Sequence, residues 1–153
     1  MKFRFVDKII RWRPYQSITG LKAVSFEEYN LKEAFGGDAH LPESLLLESF
    51  LQLGNWLFWL SSDFAEMALV VRITSVQFHH GLMPGQTVRM EVTLERRHEH
   101  GYELAAAGTV NGQPIISGRG CLAVPVRAAD FVDPESLRVL FSEIYQPDPT
   151  PPT

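Results

Sequence analysis

The most regular pattern in the chain is helical and lies between Pro42 and Ser61. Four polar residues recur there at spacings of four, four and three, namely Ser44, Glu48, Gln52 and Asn55. These spacings place them on one face of an α-helix. Leucine, phenylalanine and tryptophan fill most of the remaining positions, and a helix that is apolar on nearly every side is normally buried. The pattern predicts a core helix with a thin polar stripe, and it predicts that Glu48 is buried.

Glu48 is therefore the first candidate for chemistry. An unpaired carboxylate is costly in a protein interior, so a chain seldom keeps one for stability. The competing interpretation is a buried carboxylate that bonds to the backbone and to Gln52. Gln52 itself is expected to position Glu48 rather than to react, and Ser44 and Asn55 are expected to be hydrogen-bonding core residues.

Shorter elements flank this helix. Residues 3–12 predict a short N-terminal helix. Alternating or β-rich segments predict strands at 17–25, 68–78, 87–95, 102–110 and 113–126. Asn111 and Gly112 predict a tight hairpin turn, and Asp133 and Pro134 predict the start of a last helix that reaches about Tyr145.

The order of these elements predicts an α+β domain. One strand precedes the central helix, and an antiparallel meander of four strands follows and covers one helix face. Such an apolar helix needs further cover, so we expect self-association. We expect one domain over residues 1–145 and a disordered, proline-rich tail over 146–153.

Composition and charge argue against several classes of function, among them nucleic-acid binding and membrane association. A net charge of −4 gives no argument for binding nucleic acid or an anionic membrane, and the polar stripe argues against a membrane-spanning helix. Cys121 is the single cysteine, which fits a reducing compartment, and the N-terminus lacks a secretory signal pattern, so we expect a cytoplasmic protein. His79 and His80 have no evident converging ligands, so neither a metal nor another cofactor is expected.

Several short segments carry a resemblance to a known family. They are residues 3–8 (FRFVDK), the helix start at 41–48 (LPESLLLE), Gln52 one turn later, and the turn at 83–86 (MPGQ). With these segments in register, residues 3–126 resemble the β-hydroxyacyl-acyl-carrier-protein dehydratases of the hotdog fold. The resemblance implies an antiparallel sheet wrapped around the long central helix.

The resemblance also implies roles for individual residues. The family's catalytic histidine, which removes the α-proton, lies fourteen residues before the helical acid; here that position holds Ala34. The acid, matched by Glu48, handles the departing water. Backbone N–H groups at the helix start polarise the thioester carbonyl, and there Glu43 replaces the family's glycine. Phe35 and Gly37 match the histidine loop and, with Gln52 and Glu43, are the expected substrate-binding residues.

His40 is the candidate replacement base, because it lies eight residues before Glu48 in the loop entering the helix. The alternative is a loop histidine that faces solvent. A positioned base contributes roughly 10²–10⁴-fold to a rate, so its loss would weaken dehydration without removing thioester binding.

Three functions remain open at this stage. The first is a 3-hydroxyacyl thioester dehydratase, acting on acyl carrier protein or coenzyme A, with weakened or altered catalysis. The second is a non-catalytic acyl-binding subunit that partners an active dehydratase, so the dimer could be homomeric or heteromeric. The third is a hotdog acyl thioesterase in which Glu48 activates water.

Overall fold

The central element is the helix α1 (Glu43–Ser61), in a computed structural model that describes residues 4–26 and 39–149. Pro42 immediately precedes the helix, and its carbonyl accepts the N–H groups of Leu45 and Leu46 at 3.0 and 3.1 Å. Proline suits this place because an N–H there would have no partner within the helix. The predicted core helix is confirmed.

Six antiparallel strands form one sheet in the order β1-β2-β4-β5-β6-β3. Their bounds are β1 Lys8–Arg13, β2 Ser17–Ala23, β3 Glu66–Phe78, β4 Thr87–His98, β5 Gly101–Val110 and β6 Gln113–Arg127. Asn111 and Gly112 join β5 to β6 with φ angles of 50° and 81°, as a tight hairpin turn of this kind requires. The α+β class is confirmed.

The predicted N-terminal helix is wrong, because the segment from Lys8 to Arg13 is a strand. It pairs with β2 from Lys8 opposite Leu21 to Arg13 opposite Ser17, and the register shifts between Ile9 and Arg11. Such a bulge breaks the two-residue alternation by which a strand is recognised in a sequence. The irregular spacing of apolar residues that results was mistaken for a helical one.

The predicted four-strand meander is also wrong in its first member. β3 pairs with β6, with Leu69 opposite Val124 and Ile73 opposite Cys121. The strand that pairs with β4 on this side is β2, which does so along the whole of its own length, from Ser17 to Ala23. Only β4, β5 and β6 therefore follow one another as a meander, and β3 forms an outer edge of the sheet.

The helix α2 (Pro134–Ile144) supplies part of the cover that α1 needs beyond the sheet. The Phe141 ring lies 6.0 Å from the Trp56 ring of α1, and Leu137, Leu140 and Ile144 are buried. Asp133 caps α2 by accepting the N–H of Ser136 at 3.3 Å, as predicted. Some of the apolar surface that suggested self-association is thus covered within the chain itself.

The two edges of the sheet differ. Tyr145 forms a parallel bridge with Ile9, and the N–H groups of Gln146 and Asp148 donate to the carbonyls of Ile9 and Ile10 at 2.9 and 3.1 Å. The chain's own C-terminal segment therefore covers the β1 edge, whereas no strand within 4–26 and 39–149 pairs with the outer side of β3. The division into a domain and a tail at residue 146 stays a prediction.

We expect Gly20→Ala to lower the free energy of unfolding by about 1–3 kcal/mol, the usual cost of overpacking a core. A methyl group at Gly20 would lie 2.8 Å from Leu53 Cδ1 of α1 and 2.9 Å from the Lys8 carbonyl oxygen. Gly54→Ala is the matched control, because its nearest atoms are 3.9 and 4.0 Å away, and alanine favours a helix by up to about 1 kcal/mol. Urea denaturation measures both variants, and equal stabilities would contradict this account of the contact.

Candidate functional site

Gln52 is the anchor of the polar stripe, which comprises Ser44, Glu48, Gln52 and Asn55. Its side chain is buried, its Oε1 accepts the Phe5 N–H at 2.9 Å, and its Nε2 donates to Glu48 Oε1 at 3.2 Å. Because the amide oxygen is held by the backbone, the amide N–H is directed at the carboxylate. This is the contact by which Gln52 was expected to position Glu48.

Asn55 connects the same stripe to the other end of the sheet. Its Oδ1 accepts the N–H of Ala68 in β3 at 3.0 Å. Gln52 therefore contacts the segment before β1, and Asn55 contacts β3. The polar stripe lies along the opening between the two ends of the sheet.

This position corrects two expectations. Glu48 is half-buried rather than buried, and Ser44 is exposed rather than a core residue. The prediction rested on the apolar residues around the rest of α1, whereas the exposure of the stripe depends on what packs against its own face. A carboxylate held by Gln52 and still reached by solvent is available to a ligand.

His40 is sheltered, so its interpretation as a histidine facing solvent is wrong. Its side chain is 17% exposed, and its Nε2 lies 3.4 Å from Glu43 Oε1. The ring packs beside Gly81, where an added methyl would lie 3.2 Å from His40 Cβ. The next residue is fixed as well, since the Leu41 N–H donates to the Leu82 carbonyl at 2.8 Å. The acid that His40 contacts is Glu43 and not Glu48.

The remaining loop residues lie outside the described part of the chain. Ala34, Phe35 and Gly37 fall between residues 27 and 38. The substrate-binding roles expected for Phe35 and Gly37 stay predictions.

An apolar cavity of about 30 Å³ lies between α1 and the strands β3 to β6. Its lining is apolar throughout and includes Leu47, Phe50, Leu51, Gly54, Val70, Val76, Ile116 and Cys121. Leu47 and Leu51 are half-exposed and flank Glu48 along the helix. The cavity therefore adjoins the polar stripe, and its chemistry suits hydrocarbon rather than a polar group.

Cys121 is part of this lining and is confirmed as a core residue. Burial raises the pKa of its thiol, and the nearby Glu95 carboxylate adds to the effect. A raised pKa lowers the thiolate fraction at neutral pH, and the thiolate is the nucleophile. Cys121 is thus unsuited to nucleophilic catalysis.

Lys22 is a residue near this site that the sequence analysis missed. It is 5% exposed on the core side of β2, two positions after Gly20. Its Nζ donates to the Ala23 carbonyl at 3.0 Å and lies 5.9 Å from the ring centroid of Phe5, whose N–H holds Gln52. A lysine in the alternating series Ile18, Gly20, Lys22 was the signal that could have revealed it.

Residues 4–26 and 39–149 contain neither a metal-binding cluster nor a membrane-spanning helix. Their histidine, cysteine and acidic side chains form no cluster of three or more suited to a metal ion. No helix in those ranges is long and apolar enough to cross a membrane.

Comparison with known proteins defines the class. Residues 1–119 match the FabA-like domain, and the chain belongs to that family. A relative, the 3-hydroxyacyl-[acyl-carrier-protein] dehydratase FabZ of Polynucleobacter necessarius subsp. necessarius (strain STIR1), is 29% identical over 129 residues, which cover 83% of this chain and 86% of the relative.

Solved structures confirm the hotdog fold. The dehydratase heterocomplex ApeI:P from Xenorhabdus doucetiae aligns with a TM-score of 0.63 at 15% identity, over 89% of this chain and 88% of that chain. The structure of smu.793 from Streptococcus mutans UA159, bound to acetyl CoA, aligns with a TM-score of 0.62 at 11% identity, over 79% of this chain and 89% of that chain.

We expect Gln52→Leu to lower the free energy of unfolding by about 1–3 kcal/mol. The substitution leaves the Phe5 N–H without its acceptor, and an unsatisfied buried donor costs about that much. Ser44→Ala is the control on the same helix face, and because Ser44 is exposed a change within about 0.5 kcal/mol is expected. Similar values for both variants in urea denaturation would show that the Phe5 contact contributes little.

Proposed function

We propose that this protein binds 3-hydroxyacyl and enoyl thioesters and interconverts them by dehydration and hydration. The observation that carries the proposal is the half-buried Glu48 carboxylate, held by Gln52 and adjacent to an apolar cavity. The dehydratase relatives within the same family support the choice of reaction. The cavity of about 30 Å³ is too small to hold an acyl chain, so its walls would have to move apart to admit one.

The chemistry assigns one step to each group. A base removes a proton from C2 of the substrate, and a double bond forms between C2 and C3. The hydroxyl leaves C3 as water with the proton of a protonated Glu48 carboxyl group, which is left as the carboxylate. The N–H groups that begin α1 lie ahead of the first intrahelical bonds, which Leu45 and Leu46 make to Pro42. They are suited to stabilise negative charge on the thioester oxygen.

His40 is the proposed base, in the absence of a histidine at position 34. It is sheltered and lies at the start of α1, where the thioester would be held. Because this geometry differs from the family pattern, we expect weaker catalysis than in relatives that keep the loop histidine.

A second candidate is an acyl-binding subunit that does not catalyse. Ala34 favours it, since a chain without the expected base can still bind the thioester. A structural relative of this fold was solved as a dehydratase heterocomplex, which supports pairing with an active subunit. The carrier is proposed to be acyl carrier protein or coenzyme A, the groups named for the FabZ relative and for the smu.793 structure.

The proposed partner is a second hotdog subunit that pairs along β3. This edge strand is 13 residues long, and open edges invite strand pairing. Leu69 and Val71 on it are 45% and 53% exposed. The apolar cavity is lined from the same strand by Val70 and Val76, so a partner there would lie beside the site.

We expect Glu48→Gln and His40→Ala each to reduce hydration of an enoyl thioester by about 10²-fold or more, in line with the loss of an acid or a base. The measurement follows the absorbance of the conjugated thioester, with a free-thiol readout in parallel. The exposed residues Glu91 and His80 provide the matched controls Glu91→Gln and His80→Ala, which should retain full activity.

The outcomes separate the candidates. Activity that survives His40→Ala would exclude His40 as the base. Thiol release that depends on Glu48 would identify a thioesterase. If the wild-type protein bound the thioester but neither hydrated nor hydrolysed it, the protein would be a non-catalytic acyl-binding subunit.

We expect Val71→Arg to convert a dimer at micromolar concentration into a monomer, because a charged side chain on the β3 edge would be buried unpaired. Val139→Arg on α2 is the control, since Val139 is similarly exposed at 59% but lies away from β3. Light scattering after size-exclusion chromatography measures both. A wild-type monomer would exclude the homodimer and leave a heteromeric partner to be sought.

A further inference from the structure

We infer that Glu43 is a positioning residue that fixes the imidazole of His40. The inference rests on the proposed function for its catalytic meaning, whereas the contact itself is testable without activity. Glu43 begins α1 at the position where the resemblance places glycine.

The first support is the geometry of the pair. His40 Nε2 lies 3.4 Å from Glu43 Oε1, across one turn of chain that includes Pro42. Proline restricts the backbone at this turn, and the Leu41 N–H bond to the Leu82 carbonyl fixes the residue that follows His40. The ring also lies beside Gly81, where an added methyl would come within 3.4 Å of His40 Cγ. The imidazole is therefore held by packing on one side and by a carboxylate on another.

The second support is the chemistry of a paired imidazole. In neutral histidine one ring nitrogen donates and the other accepts. A carboxylate beside Nε2 favours the tautomer that carries its proton on Nε2. Glu43 would thus supply the tautomer and the ring orientation that a general base needs.

The competing explanation is that Glu43 only stabilises the helix. Acidic residues favour the first turn of a helix because of its dipole, and Glu135 occupies the corresponding turn of α2. Glu135→Ala therefore reproduces the helical effect without touching His40, and it serves as the matched control.

The experiment combines spectroscopy with kinetics on the full chain. In ¹⁵N-labelled protein we expect a slowly exchanging Nε2–H proton signal from His40, assigned by its loss in His40→Ala. It should disappear in Glu43→Ala and persist in Glu43→Asp and Glu135→Ala. In the hydration assay Glu43→Ala should lower kcat about tenfold with KM within twofold, which is part of the roughly 10²–10⁴-fold that a positioned base contributes. Glu43→Asp should restore most of the loss.

The results decide two questions separately. A His40 signal that is absent in wild type, or unchanged in Glu43→Ala, would overturn the positioning role. A rise in KM at constant kcat would overturn it as well, because it would show a binding role instead. A wild type without turnover would refute the proposed reaction alone, and the spectroscopic result would still establish whether Glu43 holds the ring.

Discussion

The packing of one apolar helix into a curved sheet is the constraint on which the rest of this structure depends. α1 passes so close to β2 that only glycine fits at position 20, and its large side chains fill the concave side of the sheet. Buried polar side chains need hydrogen-bond partners, and two residues of the polar stripe find them at the two ends of the sheet. Gln52 accepts the Phe5 N–H ahead of β1, and Asn55 accepts the Ala68 N–H of β3. Glu48, one turn before Gln52, is left half-buried.

The elements that could be predicted from the sequence are those specified by local pattern. The bounds of α1, the turn at Asn111 and Gly112, and the cap at Asp133 all depend on residues close in sequence. Strand order could not be predicted in this way, because β3 and β6 are neighbours through packing and not through proximity along the chain. β1 was mistaken for a helix because a bulge disturbs its alternation. The fold class was predictable from both pattern and resemblance, but the path of the chain between the strands was not.

In the candidate site, too, the features set by residues close in sequence were predictable, and those set by tertiary contacts were not. The spacing of Glu48 and Gln52 predicted their hydrogen bond, since residues four apart meet on a helix. Their exposure was not predictable, because it depends on where the sheet opens. His40 lies beside Gly81, and the Lys22 Nζ lies 5.9 Å from the ring centroid of Phe5. Both are contacts between segments distant in sequence. The burial of a histidine or a lysine cannot be predicted from the residue type alone, because it depends on the tertiary structure around it.

The residues that form the core differ from those proposed to carry the reaction. The same structure is therefore compatible with the proposed reaction and with the non-catalytic alternative. The described core is formed by α1, the sheet and α2. The proposed non-catalytic subunit could share this core, the apolar cavity, the hydrogen-bonded Glu48 and the open β3 edge with a catalytic one. The proposed catalytic function needs, in addition, a proton acceptor near the start of α1. In this chain that region contains a sheltered histidine beside a glutamate, where the resemblance expects a glycine in place of the glutamate. A chain retained only for binding gains nothing evident from such a pair, and this is why we place the catalytic proposal first.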